Sequence, residues 1–75
     1  MSVHTTYKFM VMDHRNHLIV AKDDVFESDE QACERARAVQ KESKAFAVEV
    51  WESARFICRA DGYGLHFSPP AAADQ

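Results

Sequence analysis

The spacing of apolar and polar positions changes twice along the chain. Residues 5–12 alternate Tyr7, Phe9 and Val11 against Lys8, Met10 and Met12, in a run rich in β-branched and aromatic side chains, which predicts a strand. Asp13-His14-Arg15-Asn16-His17 is polar and carries an asparagine suited to a left-handed turn, and the apolar run Leu18-Ile19-Val20-Ala21 after it predicts the second arm of a hairpin. Its register is open. A two-residue Arg15-Asn16 turn aligns Val11 with Val20, and a three-residue loop with Asn16 in a bulge aligns Val11 with Ile19. Lys22 to Glu27 reads as the connection to the next element, with Val25 and Phe26 as apolar anchors and Phe26 near the helix entrance.

From Ser28 to Lys44 the spacing becomes helical. Ser28 and Gln31 form a capping-box pattern, in which the serine oxygen accepts from the Gln31 backbone N–H and the glutamine reaches back toward the cap. Asp29, Glu30 and Glu34 lie in the first turns and Lys41 and Lys44 at the far end, which suits the helix dipole. Ala32, Ala36 and Val39 make a short stripe of small residues that lets the helix approach a sheet closely, with Cys33 and Gln40 on its edge.

The period then returns to two. Phe46, Val48 and Val50 alternate with Ala47, Glu49 and Trp51, and a second alternation runs from Arg55 to Arg59 after Glu52-Ser53-Ala54. With a three-residue connection, Val48 and Val50 share a face with Phe56 and Cys58, and Trp51 faces Arg55 as a cation–π pair. Asp61 to Gly64 is a turn-rich break. Leu65 to Phe67 follows, and 68–75 reads as a flexible tail with nothing to bury. The expected fold is therefore α+β: an antiparallel sheet of about four strands in β-β-α-β-β order, one helix on one face, in a single domain over 1–67.

Size and charge narrow the function. With 75 residues the chain is close to the size at which one core supplies only a few kcal/mol, so a partner is a common source of extra stability. Nine basic against twelve acidic residues, a net charge of −3, argue against phosphate-backbone binding as the main role. Met1 to Tyr7 carries no basic-then-apolar signal pattern and no apolar run is long enough to span a bilayer, so a cytoplasmic protein is expected. Cys33 and Cys58 are far apart and form no C-x-x-C pattern; reduced core thiols are the reading.

Chemistry is thinly represented. His14 and His17 flank the first turn, with Asp13 adjacent and His4 or His66 as conceivable further ligands, but zinc sites use roughly three to four protein ligands and no third is defined. No metal or other cofactor is assigned. Nucleophile-elbow, phosphate-loop and H-E-x-x-H motifs are missing, and Cys33 with a histidine as nucleophile and base ranks last, so no enzyme is expected.

The segment Glu49-Val50-Trp51-Glu52-Ser53-Ala54-Arg55-Phe56-Ile57-Cys58-Arg59 resembles a group of short bacterial proteins that share a strand ending in an acidic residue, an aliphatic and a tryptophan, then a turn and an arginine-led strand. The Tyr7 strand, the turn from Asp13 to Leu18 and the Asp29, Ala32, Ala36 helix extend the resemblance over most of residues 7–59, with Asn16 where a glycine is common. It implies the β-β-α-β-β order and no function. A weaker likeness is to small antitoxins of the HicB type, which also open with a hairpin before a helix. Their Pro-and-Gly-bearing segment between the second strand and the helix is missing here.

Two functions compete on this reading. One is an interaction or assembly module, a homodimer or a partner of another protein. It would use the sheet face away from the helix, where Met10, Met12, Ile19, Trp51, Arg55 and Ile57 are the candidate interface residues. The other is a nucleic-acid-binding or antitoxin-like regulator using Arg35, Arg37, Lys41 and Lys44 of the helix, perched against an acidic total charge.

Overall fold

The computed structural model describes residues 4–67, so the expected tail over 68–75 lies outside the described residues. The elements are β1 (Thr5–Met12), β2 (Leu18–Phe26), α1 (Asp29–Ser43), β3 (Ala47–Glu52), β4 (Arg55–Asp61) and β5 (Gly64–His66). They form one antiparallel sheet in the order β2-β1-β3-β4-β5. This is the expected α+β fold, extended by the short β5. Because β2 and β3 both run antiparallel to β1, they are parallel to each other, and α1 is the crossover between them with β1 inserted in the gap.

The helix starts and stops where its caps dictate. Ser28 is extended (φ −149°, ψ 159°) and its Oγ accepts from the Gln31 backbone N–H at 3.2 Å. Gln31 Oε1 in turn accepts from the Glu27 N–H at 3.0 Å, one residue before the cap. At the far end Lys44 turns left-handed (φ 56°), and Gln40 Nε2 donates to the Ala45 carbonyl at 2.8 Å. Ala32 and Ala36 are fully buried and Cys33 nearly so, and α1 lies chiefly over β3 and β4. Tyr7, Phe9, Val11, Val48, Val50, Cys58 and Ala60 complete the core on that side of the sheet. Phe26 packs at the helix entrance against Tyr7 and Phe9, at centroid distances of 6.2 and 5.8 Å.

Both hairpins carry a bulge, and this changes two expectations. In the first, Val11 pairs with Val20 but Met12 pairs with Leu18, leaving Ile19 as the extra residue. The turn is longer than two residues: the Asp13 N–H donates to the His17 carbonyl at 3.0 Å, Asn16 sits at φ 61°, and Asp13 Oδ1 accepts from the Arg15 and His17 N–H groups. The strand also continues past Ala21 to Phe26, where a connection was expected, because Lys22, Asp23 and Asp24 pair with Phe9, Lys8 and Tyr7. Charged side chains are tolerated on both faces there because β2 is an edge exposed to water on each.

In the second hairpin the turn is Ser53-Ala54, with Ser53 at φ 54°, and Glu52 pairs with Arg55. Trp51 pairs with Phe56 and Val50 with Cys58, so Ile57 is the bulged residue. Phe56 therefore moves to the face of Trp51, which it meets edge-on at 5.3 Å and 79°. The expected Trp51–Arg55 stacking does not form. Among the described residues the arginine lying over a ring is Arg59, 5.9 Å from the centre of Phe46.

Candidate interaction surface

The sheet face away from α1 has a polar centre. Met10, Met12 and Trp51 lie on it, each partly buried, as the alternation required. The other three candidates do not. Ile57 is 7% exposed and belongs to the core, because the bulge turns it under the helix; Ile19, also bulged, is turned to the helix side; Arg55 pairs with Glu52 on the helix side, where it donates to Asp29. At the centre of the open face stands Glu49, only 5% exposed, on the middle strand. Its Oε2 accepts from Arg59 Nη1 at 2.9 Å and its Oε1 from Trp51 Nε1 at 3.1 Å. Asp61 lies 4.0 Å from Arg59 Nε and 3.0 Å from His66 Nε2. Burial alone would raise the Asp61 carboxyl, but the Tyr63 N–H, His66 and Arg59 together hold it below the ordinary range.

A second polar cluster closes the start of the helix. Asp29 accepts from Tyr7 Oη at 2.7 Å and from both Arg55 terminal nitrogens at 3.1 and 3.2 Å, while Arg55 also donates to Glu52. Arg55 and then Tyr7 keep the Asp29 carboxyl below its usual range; burial and then Asp29 push Tyr7 up to about 12. These groups satisfy one another's hydrogen bonds at the entrance of the helix. Cys33 and Cys58 are free and buried, and burial pushes both thiols up, which works against the thiolate a nucleophile requires.

His14 and His17 are exposed on the first turn, His4 faces Glu27 at 3.7 Å and His66 is held by Asp61. Among the described residues no three His, Cys, Asp or Glu side chains converge as a metal site would require. The basic residues of α1 are exposed but divided. Arg37 and Lys41, one turn apart, border a hollow beside the β4–β5 turn; Lys44 caps the helix next to β2; Arg35 lies on the flank opposite Arg37, and exposed Glu30, Glu34 and Glu42 are interspersed.

The least covered part of the fold is β2. Every residue from Leu18 to Val25 is exposed, and β2 has β1 on one side and nothing described on the other. Leu18, Ile19, Val20 and Val25 keep 54, 60, 47 and 48% of their surface in water. Since α1 sits chiefly over β3 and β4, the helix side of β2 is left open over residues 18–22, while Tyr7, Phe9 and Val11 of β1 beside it are buried. An apolar cleft of about 650 Å³ lies there, between Val11, Ile19 and Val20 of the hairpin and Val39 and Phe46 beyond it, with Lys22 and Lys44 at its rim. The sequence marks Val25 as an apolar anchor and Val20 as a register partner of Val11, but neither is among the candidate interface residues. The available signal was the loss of alternation over 18–26, apolar on both faces in its first part and charged on both in its middle, as an uncovered edge permits. No helix among the described residues is long and apolar enough to cross a membrane.

Comparison with known protein families, with curated proteins and with solved structures found no match to this chain.

Proposed function

We propose that this chain is a small interaction module, acting by association rather than catalysis, whose docking element is the free edge of β2 and the cleft beside it. The observation that carries the reading is a nine-residue edge strand exposed along nearly its whole length, with four large aliphatic side chains in water. A free edge offers a row of unpaired N–H and C=O groups to another strand, and side chains beside it set which strand fits. The other candidate face is less suited to docking because its centre is occupied by the internally satisfied Glu49–Arg59 pair. The divided cations of α1 favour no continuous phosphate-binding track.

Site-specific photo-crosslinking in cells expressing the chain tests this. A photoreactive residue at Ile19 or Val25 should give adducts of defined mass, lost when Val20→Glu is added, whereas the same probe at Glu34 or Lys41 should give none. Adducts from α1 with none from β2 would overturn the reading.

A further inference from the structure

We infer that the strand added to β2 is β2 of a second copy, paired antiparallel about a two-fold axis through Asp23; this rests on the reading of β2 as the docking edge. An axis perpendicular to the sheet keeps both helices on one side and requires residues i and j to satisfy one constant sum, so the possible centres can be compared one by one.

Centring on Asp23 pairs Lys22 with the partner's Asp24, and by symmetry Asp24 with the partner's Lys22, on the helix side of the sheet. Ala21 then meets the partner's Val25, and Val20 the partner's Phe26, so apolar positions fall opposite apolar ones. The paired stretch, 20–26, also stops just short of the bulge at Ile19, where regular pairing would fail. The one adverse contact is Asp23 with the partner's Asp23. It is compensated in place, because Lys8 stands directly across from Asp23 on β1 and the row across the interface reads Lys8, Asp23, the partner's Asp23, the partner's Lys8.

Neighbouring centres do worse. Centring on Lys22 sets that lysine against itself and Val20 against the partner's Asp24. Centring on Asp24 sets Lys22 against the partner's Phe26 and Asp23 against the partner's Val25. Centring on Ala21 sets Ile19 against the partner's Asp23 and runs the pairing through the bulge, as does centring on Val20. The charges in the middle of β2, which ordinarily protect an edge from arbitrary strands, here select a copy of the same strand in one register.

The test is sedimentation equilibrium over micromolar to millimolar protein, with far-ultraviolet circular dichroism to verify folding. Wild type should dimerise. Lys22→Asp and Asp24→Lys should each weaken the dimer about tenfold, because each places two like-charged pairs at the interface. The double variant K22D/D24K restores both pairs with signs exchanged and should return to within about threefold of wild type. A folded double variant as weak as the singles would overturn this register. A monomeric wild type whose β2 crosslinks go to a different protein would overturn the inference and leave the docking edge standing, whereas β2 crosslinks that fail altogether would remove both.

Discussion

Removing the arginine from the centre of the open face should damage this protein more than removing the whole ion pair. Glu49 and Arg59 expose 7 and 16% of their side chains, and the Nη1–Oε2 distance is 2.9 Å. After Arg59→Met the methionine fills most of the arginine stem, but the Glu49 carboxylate keeps only the Trp51 indole N–H as a side-chain donor. Taking one partner from a buried pair costs about 3 to 5 kcal/mol, and the partial exposure of Arg59 points to the low end, about 3 kcal/mol. In a domain of this size that lowers Tm by roughly 12 to 24 °C. The double variant Glu49→Gln, Arg59→Met removes the stranded charge and should recover at least half of the loss. Thermal and urea denaturation of the four proteins gives the cycle. A loss below about 0.5 kcal/mol for Arg59→Met would place the pair among ordinary surface ion pairs and refute the reasoning.

Two further outcomes follow from the helix entrance. Ser28→Ala should cost about 1 kcal/mol by leaving the Gln31 N–H without its side-chain acceptor, read as a fall in the urea midpoint with an unchanged slope; an unchanged midpoint would mean that the cap contributes nothing. Tyr7 is raised from 10.0 to about 12 in the folded protein, so the native state holds a proton that the unfolded chain releases. Its contribution is complete below pH 10 and is lost as pH rises toward 12, and Tyr7→Phe should flatten the stability profile in that window; equal slopes for the two proteins would contradict the assignment.

The elements were legible where a local signal and a tertiary demand coincide. Ser28 with Gln31 marked the helix start, and the alternation in 5–12 and 46–51 marked β1 and β3, because these segments have one buried face to which the period answers. The bulges at Ile19 and Ile57 were not legible. A bulge adds one residue without altering composition, and it reversed the faces assigned to Phe56, Ile57 and Ile19, which is how two of the candidate interface residues left the open face. Arg55 left it through the same register change, since the two-residue turn pairs it with Glu52 on the helix side, where Asp29 binds it. The extent of β2 was hidden in Lys22-Asp23-Asp24, whose charges read as a connection until β1 is seen to pair with them. The position of α1 over β3 and β4, which leaves β2 bare, depends on packing that no single stretch encodes.

Self-association of the chain through β2 is tested most directly by amide hydrogen exchange resolved by residue. Measured on one sample diluted from millimolar to micromolar protein, exchange of the backbone amides in Val20–Phe26 that do not bond to β1 should be slow when concentrated and fast when dilute. Amides in α1 and β3 should not respond. Identical exchange in β2 at both concentrations, or protection on concentration at Met10, Met12 and Trp51 instead, would contradict the account.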